Sequence, residues 1–218
     1  MTAPAVADSR YDTIRGDIVF GVLEPGRRLK LDELVALYGT SVSTLREILQ
    51  RLVSEGFIRS ESQRGFEVAA VSARHLADVA ALRLLLERHA LERSFAKGDL
   101  EWEGEIVSAH HKLAVIERRM MAGEAVERTV WKHYDRSFHL ALISACGSQE
   151  LIDSYAGVYD HYLRYQMVAF VFRGSVASGE HRELMEAALA RDAGRGVALI
   201  ERHVDGCVAH TLGLGVLR

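Results

Sequence analysis

The chain has 218 residues, 49% of them hydrophobic, so it can bury a full apolar core in one or two domains without disulfide bonds. Its net charge of −3 excludes a uniformly basic surface, so any nucleic-acid contact has to come from a local cluster. Two distant cysteines, Cys146 and Cys207, indicate free thiols in a reducing cytoplasm, and no apolar run reaches the roughly 18 residues of a membrane span.

The first third of the chain is predicted to hold a loose tail, residues 1–8, and then a domain over residues 9–71. Apolar residues spaced three and four apart predict its helices, and Gly39 and Gly56 end two of them. Ser43 is the expected N-cap of the third helix. The predicted elements are helices over about 9–21, 31–38 and 43–55, strands over 58–60 and 66–69, and a turn at Gln63-Arg64-Gly65.

The remainder, residues 72–218, is predicted to be an all-α domain because strand-like runs and prolines are absent from it. Glycine-containing breaks divide it into six helices. Those helices are predicted over about 73–97, 100–122, 125–145, 148–172, 178–191 and 195–212. The fold class is therefore mostly α, with one small β-hairpin near the N-terminus.

Two short helices, a turn and a hairpin with a basic tip are typical of a domain that grips a DNA groove. The start of the third helix would read base edges, with Arg46 facing guanine and Arg51 reaching a phosphate. Arg64 and Gly65 at the hairpin tip would enter the minor groove. The predicted DNA-binding residues are Ser41, Ser43, Thr44, Arg46, Arg51, Arg64 and Gly65. The alternative is a helical subdomain that uses the same turns only for packing, which the hairpin argues against.

Four metal-capable residues lie on apolar stripes of the C-terminal helices: Asp135, His139, His181 and His203. Asp135 and His139 share one helix face because they are four residues apart. Three imidazoles and one carboxylate suit a divalent transition metal such as zinc, nickel or manganese. Each histidine taken alone is more simply a hydrogen-bonded core residue. Four buried polar groups together favour a shared cation, because each would otherwise need its own partner.

The N-terminal third resembles the winged-helix domain of the GntR family of bacterial regulators. The resemblance rests on STLREILQRLVSEGFI followed by RGFEV. The family usually has an arginine where Val42 stands, a proline where Thr44 stands and an arginine near Asp32. These departures concern the operator sequence rather than DNA binding itself.

The helical part resembles the ligand-binding FCD domain of the FadR branch of that family, in its six-helix, VanR-like version. The resemblance rests on VSARHLADVAALRLLLE, DRSFH, GEH and His203. It implies one divalent metal ion per chain, held by the aspartate and the three histidines. It also implies a homodimer that binds an inverted-repeat operator, and a repressor rather than an activator.

The resemblance further implies a small carboxylate or sugar acid as effector, bound at the metal and by a nearby cation. The expected effector contacts are Arg83, Glu87, Tyr134 and Arg164. Tyr162 and Tyr165 would close the pocket unless they are simply core residues. A plain intrahelical salt bridge explains Arg83 and Glu87 equally well. The opening helices are similar to regulators of glutarate and other short-diacid catabolism.

Two other classes of protein remain open. A metal-dependent hydrolase or oxygenase uses similar ligands, although the sequence lacks a glutamate beside the first histidine as in HExxH. A metal-level sensor, for which the ion itself is the signal, is the third possibility.

Overall fold

A computed structural model describes residues 3–61, 65–169 and 172–217 of the chain. It divides into two compact units, Met1–Ser72 and Ala73–Arg218. The described residues are mostly helical, and their strands all belong to one three-stranded antiparallel sheet in the first unit. None of the helices in these ranges is long and apolar enough to cross a membrane.

The N-terminal unit is a three-helix domain with a small sheet. Its elements are α1 (Ala3–Val19), β1 (Arg28–Leu29), α2 (Leu31–Tyr38), α3 (Val42–Ser54), β2 (Ile58–Glu61) and β3 (Gly65–Val68). Strand β3 lies in the middle of the sheet, with Ile58 opposite Val68 on one side and Leu29 opposite Phe66 on the other. The predicted hairpin is therefore present. The residues of its predicted turn before Gly65 lie outside the described ranges.

Three details of this unit differ from the sequence prediction. Helix α1 begins at Ala3, six residues before the predicted start at about residue 9. Ser41, not Ser43, caps α3, since its extended backbone lets its side chain accept from the Thr44 amide at 3.1 Å. Strand β1 was not predicted.

Helix α3 packs through the stripe that its sequence predicts. Leu45, Ile48, Leu49 and Leu52 are buried, whereas Val53 is only half-buried. Gly39 ends α2 in the left-handed conformation at φ 57°, as expected for a residue without a Cβ. The opposite face of α3 is left in solvent.

The C-terminal unit contains the six predicted helices. They are α4 (Ala73–Lys97), α5 (Leu100–Met121), α6 (Arg128–Ile143), α7 (Gln149–Ala169), α8 (Ser175–Leu189) and α9 (Ala193–Gly213), with a short 3₁₀ turn at Ser144–Cys146. Helix α4 packs against α7 and α9, and α5 packs against α6 and α8. Helix α6 starts three residues later and α8 three residues earlier than predicted, because chain breaks are set by local turns that periodicity does not locate.

Candidate metal centre and nucleic-acid interface

The exposed face of α3 carries most of the predicted DNA-binding residues. Ser41, Ser43 and Arg46 are exposed and Thr44 is half-buried. The Ser41 hydroxyl lies 2.8 Å from that of Ser43 and 3.0 Å from that of Thr44, so the three hydroxyls form one polar group at the start of the helix. Arg46 makes no ion pair among the described residues, so its guanidinium is available for a base or a phosphate.

Two other predicted DNA contacts are arranged differently. The Arg51 guanidinium lies over the Tyr11 ring, 3.7 Å from its centroid, and its Nε is 3.4 Å from Glu55 Oε1. Arg51 therefore has to exchange these partners for a phosphate if it contacts DNA. Gly65 is exposed at φ 80°, a conformation suited to glycine. Arg64 lies outside the described residues.

Three imidazoles meet in the core of the C-terminal unit. His139 comes from α6, His181 from α8 and His203 from α9, and all three are buried. One ligand atom of each lies within 4.8 Å of the corresponding atoms of the other two. Side chains 42 and 22 residues apart along the sequence are thus brought to one point, which is the arrangement that a bound metal ion requires.

Each imidazole is held by a glutamate on a different helix. The distance from Nδ1 to the carboxylate is 2.8 Å for His139 and Glu87, 2.8 Å for His181 and Glu117, and 2.9 Å for His203 and Glu180. An ionised carboxylate only accepts hydrogen bonds, so each Nδ1 carries the proton and donates it. The lone pair of each ring is then on Nε2. This carboxylate–histidine pairing is the usual support of histidine metal ligands.

The Nε2 atoms test whether these residues fit a metal ion. Nε2 of His139 and of His181 is buried and has no hydrogen-bond partner in the described part of the chain. A buried acceptor without a partner is costly, and a cation at the common centre would satisfy these atoms together. The residues therefore fit a divalent ion with a preference for nitrogen ligands.

Burial keeps the His139 and His203 rings neutral. Burial lowers the pKa of His139, and it lowers that of His203 to about 3, although the neighbouring glutamates act in the opposite direction. Burial alone would raise the pKa of Glu87, but Arg83 and His139 lower it to about 2. A neutral imidazole beside an ionised glutamate is the state that binds metal.

Asp135 lies beside the three imidazoles. Its Oδ1 is 3.5 Å from His181 Nε2, whereas its Oδ2 accepts from Tyr159 at 2.6 Å and from the Lys132 ammonium at 3.1 Å. Burial would raise the pKa of Asp135, but Lys132 and the hydrogen bond from Tyr159 hold it well below its usual range. Asp135 is thus an ionised carboxylate with one oxygen directed toward the cluster.

The predicted effector residues are placed in three different ways. Arg83 is buried, donates from Nε to Glu87 at 2.9 Å and lies over the rings of Tyr159 and Tyr162, 4.7 and 4.6 Å from their centroids. Arg83 and Glu87 thus form the expected ion pair, and Glu87 also serves His139. Tyr134 lines a groove of about 450 Å³ between α5 and α6. Arg164 is buried in α7, which lowers the pKa of its guanidinium.

Sequence reasoning did not find Glu117, Glu180, Arg173 and Lys132 as members of this centre. Glu117 had a usable signal, because it is a charged residue beside Ile116 on the buried stripe of α5. Glu180 directly precedes His181, but nothing in the sequence pairs it with His203. No sequence pattern singles out Arg173 or Lys132 as neighbours of the histidines.

A helix-turn-helix unit with a hairpin, joined to a helical unit with a buried histidine cluster, defines a two-domain transcriptional regulator. Residues 7–68 match the gntR family of bacterial regulatory proteins, and residues 78–206 match the FCD domain. The chain belongs to the GntR family of transcriptional regulators, in the group that carries an FCD domain.

Relatives and solved structures agree with this assignment. The chain is 34% identical to the HTH-type transcriptional regulator BphR of Paraburkholderia xenovorans (strain LB400), over 98% of this chain and 88% of BphR. It is 30% identical to the HTH-type transcriptional repressor GlaR of Escherichia coli (strain K12), over 89% and 90% of the two chains. The fold is that of E. coli McbR/YncC, with a TM-score of 0.80, 18% identity and coverage of 98% and 99%. These relatives are regulators, which decides against the hydrolase or oxygenase alternative.

Proposed function

We propose that the protein is a cytoplasmic, homodimeric repressor whose binding to an inverted-repeat operator is controlled by a small carboxylate effector at a metal centre. The observation that carries this proposal is the convergence of His139, His181 and His203, each with its Nδ1 held by a glutamate. In this arrangement the lone pair of each ring is on Nε2, and one nitrogen of each ring lies within 4.8 Å of a nitrogen of the other two. The relative GlaR is named a repressor, which supports repression over activation.

In this proposal the three imidazoles and Asp135 hold one divalent ion per chain. A ligand set dominated by imidazole favours zinc or nickel over manganese, which prefers oxygen ligands. When bound, the ion would supply open positions for carboxylate oxygens. Glu87, Glu117 and Glu180 keep the rings in the tautomer that binds metal.

The charges around the imidazoles favour an anionic effector. The carboxylates of Asp135, Glu87, Glu117 and Glu180 face the cations of Arg83, Lys132 and Arg173, and the exposed Arg202 lies 3.9 Å from Glu180, so four negative charges meet four positive ones. A divalent ion would make this set positive, so the centre would then attract a carboxylate. Arg83 and Glu87 act through His139 in this proposal, and Tyr134 and Arg164 remain the proposed direct contacts of the effector.

A thermal-shift screen of small organic acids on zinc-loaded protein tests the effector. An acid present at a hundredfold excess over its Kd adds about 2.7 kcal/mol to the free energy of unfolding. The same acid should release an operator fragment in an electrophoretic shift assay. If zinc alone changes the DNA affinity and no acid does, the protein is a metal-level sensor instead.

The DNA contact is tested by Arg46→Ala, with Arg118→Ala as the matched control. Arg118 is an exposed arginine of α5 in the other unit, so both changes remove one positive charge. We expect Arg46→Ala to weaken binding to the operator by about 1–3 kcal/mol, and the control to leave it near the wild-type value. Equal affinities for both variants would contradict the assignment of Arg46 as a base reader.

A further inference from the structure

Arg173 makes a set of contacts that the proposed metal site alone does not explain. It lies between α7 and α8, and its guanidinium reaches α8 and α9 together. Nη2 is 2.5 Å and Nη1 is 3.4 Å from the two carboxylate oxygens of Glu180. Nη2 also donates to the main-chain oxygen of His203 at 3.2 Å and lies 3.3 Å from its Nδ1. One side chain therefore holds both members of the Glu180–His203 pair.

These contacts fix the orientation of the His203 ring. The Glu180 carboxylate accepts the Nδ1 proton of His203, so the direction of Nε2 depends on where that carboxylate lies. An arginine that contacts both carboxylate oxygens allows little rotation, because its donors are arranged in a rigid fork. The bond to the main chain of His203 ties the same guanidinium to the backbone that carries the ring.

Gly206 provides the space for this guanidinium. It lies on α9 three residues after His203, so it faces the same side of the helix. A Cβ built on Gly206 would be 2.6 Å from Arg173 Nη1 and 3.2 Å from its Cζ. On the same helix, a Cβ at Gly213 would have no atom within 4 Å. Because the clash is with the end of a long side chain, an alanine at 206 would displace the arginine and leave the helix intact.

We propose that Arg173 is a positioning residue for the metal ligand His203, and that Gly206, which has no side chain, leaves the space that the Arg173 guanidinium occupies. This inference rests on the proposed metal centre and adds to it a determinant outside the ligand set. The pair Glu87–His139 has its own arginine, Arg83, which is buried. The Glu180–His203 pair differs from it, because its arginine, Arg173, lies outside the helices and needs the space left by Gly206.

The test measures the zinc Kd of the full-length protein by competition with a chelator, together with the urea unfolding of the metal-free protein. We expect Gly206→Ala and Arg173→Met each to weaken zinc binding about 10- to 100-fold, the range found for residues that support metal ligands. Arg173→Lys keeps the charge and one donor and should lose less. Gly213→Ala should bind zinc like the wild type.

Two further readouts separate positioning from structural damage. Gly206→Ala removes a glycine from a helix interior, which offsets part of the cost of displacing Arg173 from Glu180, so the free energy of unfolding of the metal-free protein should fall by less than in Arg173→Met. The double variant Arg173→Met/Gly206→Ala should bind zinc no more weakly than Arg173→Met alone, because both changes remove one interaction.

Wild-type zinc affinity in Gly206→Ala, or additive losses in the double variant, would overturn the role of Arg173. If the wild-type protein itself bound no zinc, the proposed metal centre would fail instead, so the two failures are distinguishable.

Discussion

The two units keep their charged side chains in opposite places. In the N-terminal unit, no charged or polar side chain of the described residues is buried, and the polar groups of α3 face solvent. In the C-terminal unit, buried charges surround three imidazoles, and all 10 histidines of the chain belong to this unit. One unit therefore presents its chemistry outside an apolar core, whereas the other builds its chemistry into the core.

This difference predicts in which unit a substitution can change binding without changing the stability of the fold. A polar residue on the exposed face of α3 can change with little effect on folding, because it has no buried partner to leave behind. A charged residue in the C-terminal core cannot, because its partner would remain buried and unpaired. Substitutions of buried charged residues in the C-terminal unit should therefore change its folding stability as well as any binding in its core.

The largest expected effect is that of Glu87→Ala. This change leaves Arg83 buried without its carboxylate and leaves His139 Nδ1 without an acceptor. We expect the unfolding transition of the C-terminal unit to lose about 3–5 kcal/mol, as is typical when one partner of a buried ion pair is removed. Urea unfolding followed by tryptophan fluorescence measures this transition, since Trp102 and Trp131 both lie in that unit. A loss below about 1 kcal/mol is typical of an ion pair on the surface, and would mean that the buried charges of the C-terminal unit do not stabilise its core.

Acid should unfold the metal-free C-terminal unit before the N-terminal unit. Burial holds the pKa of His203 at about 3 in the folded protein, against 6.5 as its ordinary value. Below pH 6.5 the unfolded chain therefore binds a proton that the folded protein does not, so stability is lost as the pH falls from 6.5 toward 3. Glu87 and Glu180, with pKa values of about 2, act in the same direction at lower pH.

Circular dichroism and tryptophan fluorescence of the full chain, recorded from neutral to acid pH, measure the two units together. His203→Gln should reduce the pH dependence of the fluorescence transition. If the two units unfolded at the same pH, and His203→Gln left the fluorescence transition unchanged, the buried neutral His203 would not be the cause of acid unfolding.

The smallest expected effect concerns the cap of α3. Ser41→Ala removes the side chain that accepts from the Thr44 amide, and should cost about 1 kcal/mol in the N-terminal transition only. Ser43→Ala is the matched control, because the Ser43 side chain is exposed and contacts only the Ser41 hydroxyl among the described residues. Equal losses in the two variants, measured by thermal unfolding, would mean that the capping role is assigned wrongly.

The sequence predicted most of the elements and the three histidines that cluster, but not the side chains that hold them. Leu45, Ile48 and Leu49 repeat at helical spacing, so α3 was predictable from periodicity. Strand β1 was not, because two residues carry no pattern and become a strand only by pairing with β3. His139, His181 and His203 stood out as polar residues on apolar stripes. The hydrogen bonds that hold them could not be predicted, because Glu87, Glu117 and Glu180 meet them from helices far away in sequence.

Anomalous diffraction from a crystal of the zinc-loaded protein would show directly whether the three imidazoles share a metal ion. We expect one zinc peak in each C-terminal unit, within coordination distance of Nε2 of His139, His181 and His203, with each Nδ1 still bonded to its glutamate. A zinc-treated crystal with no peak between these three rings, or with zinc bound through Nδ1, would contradict it.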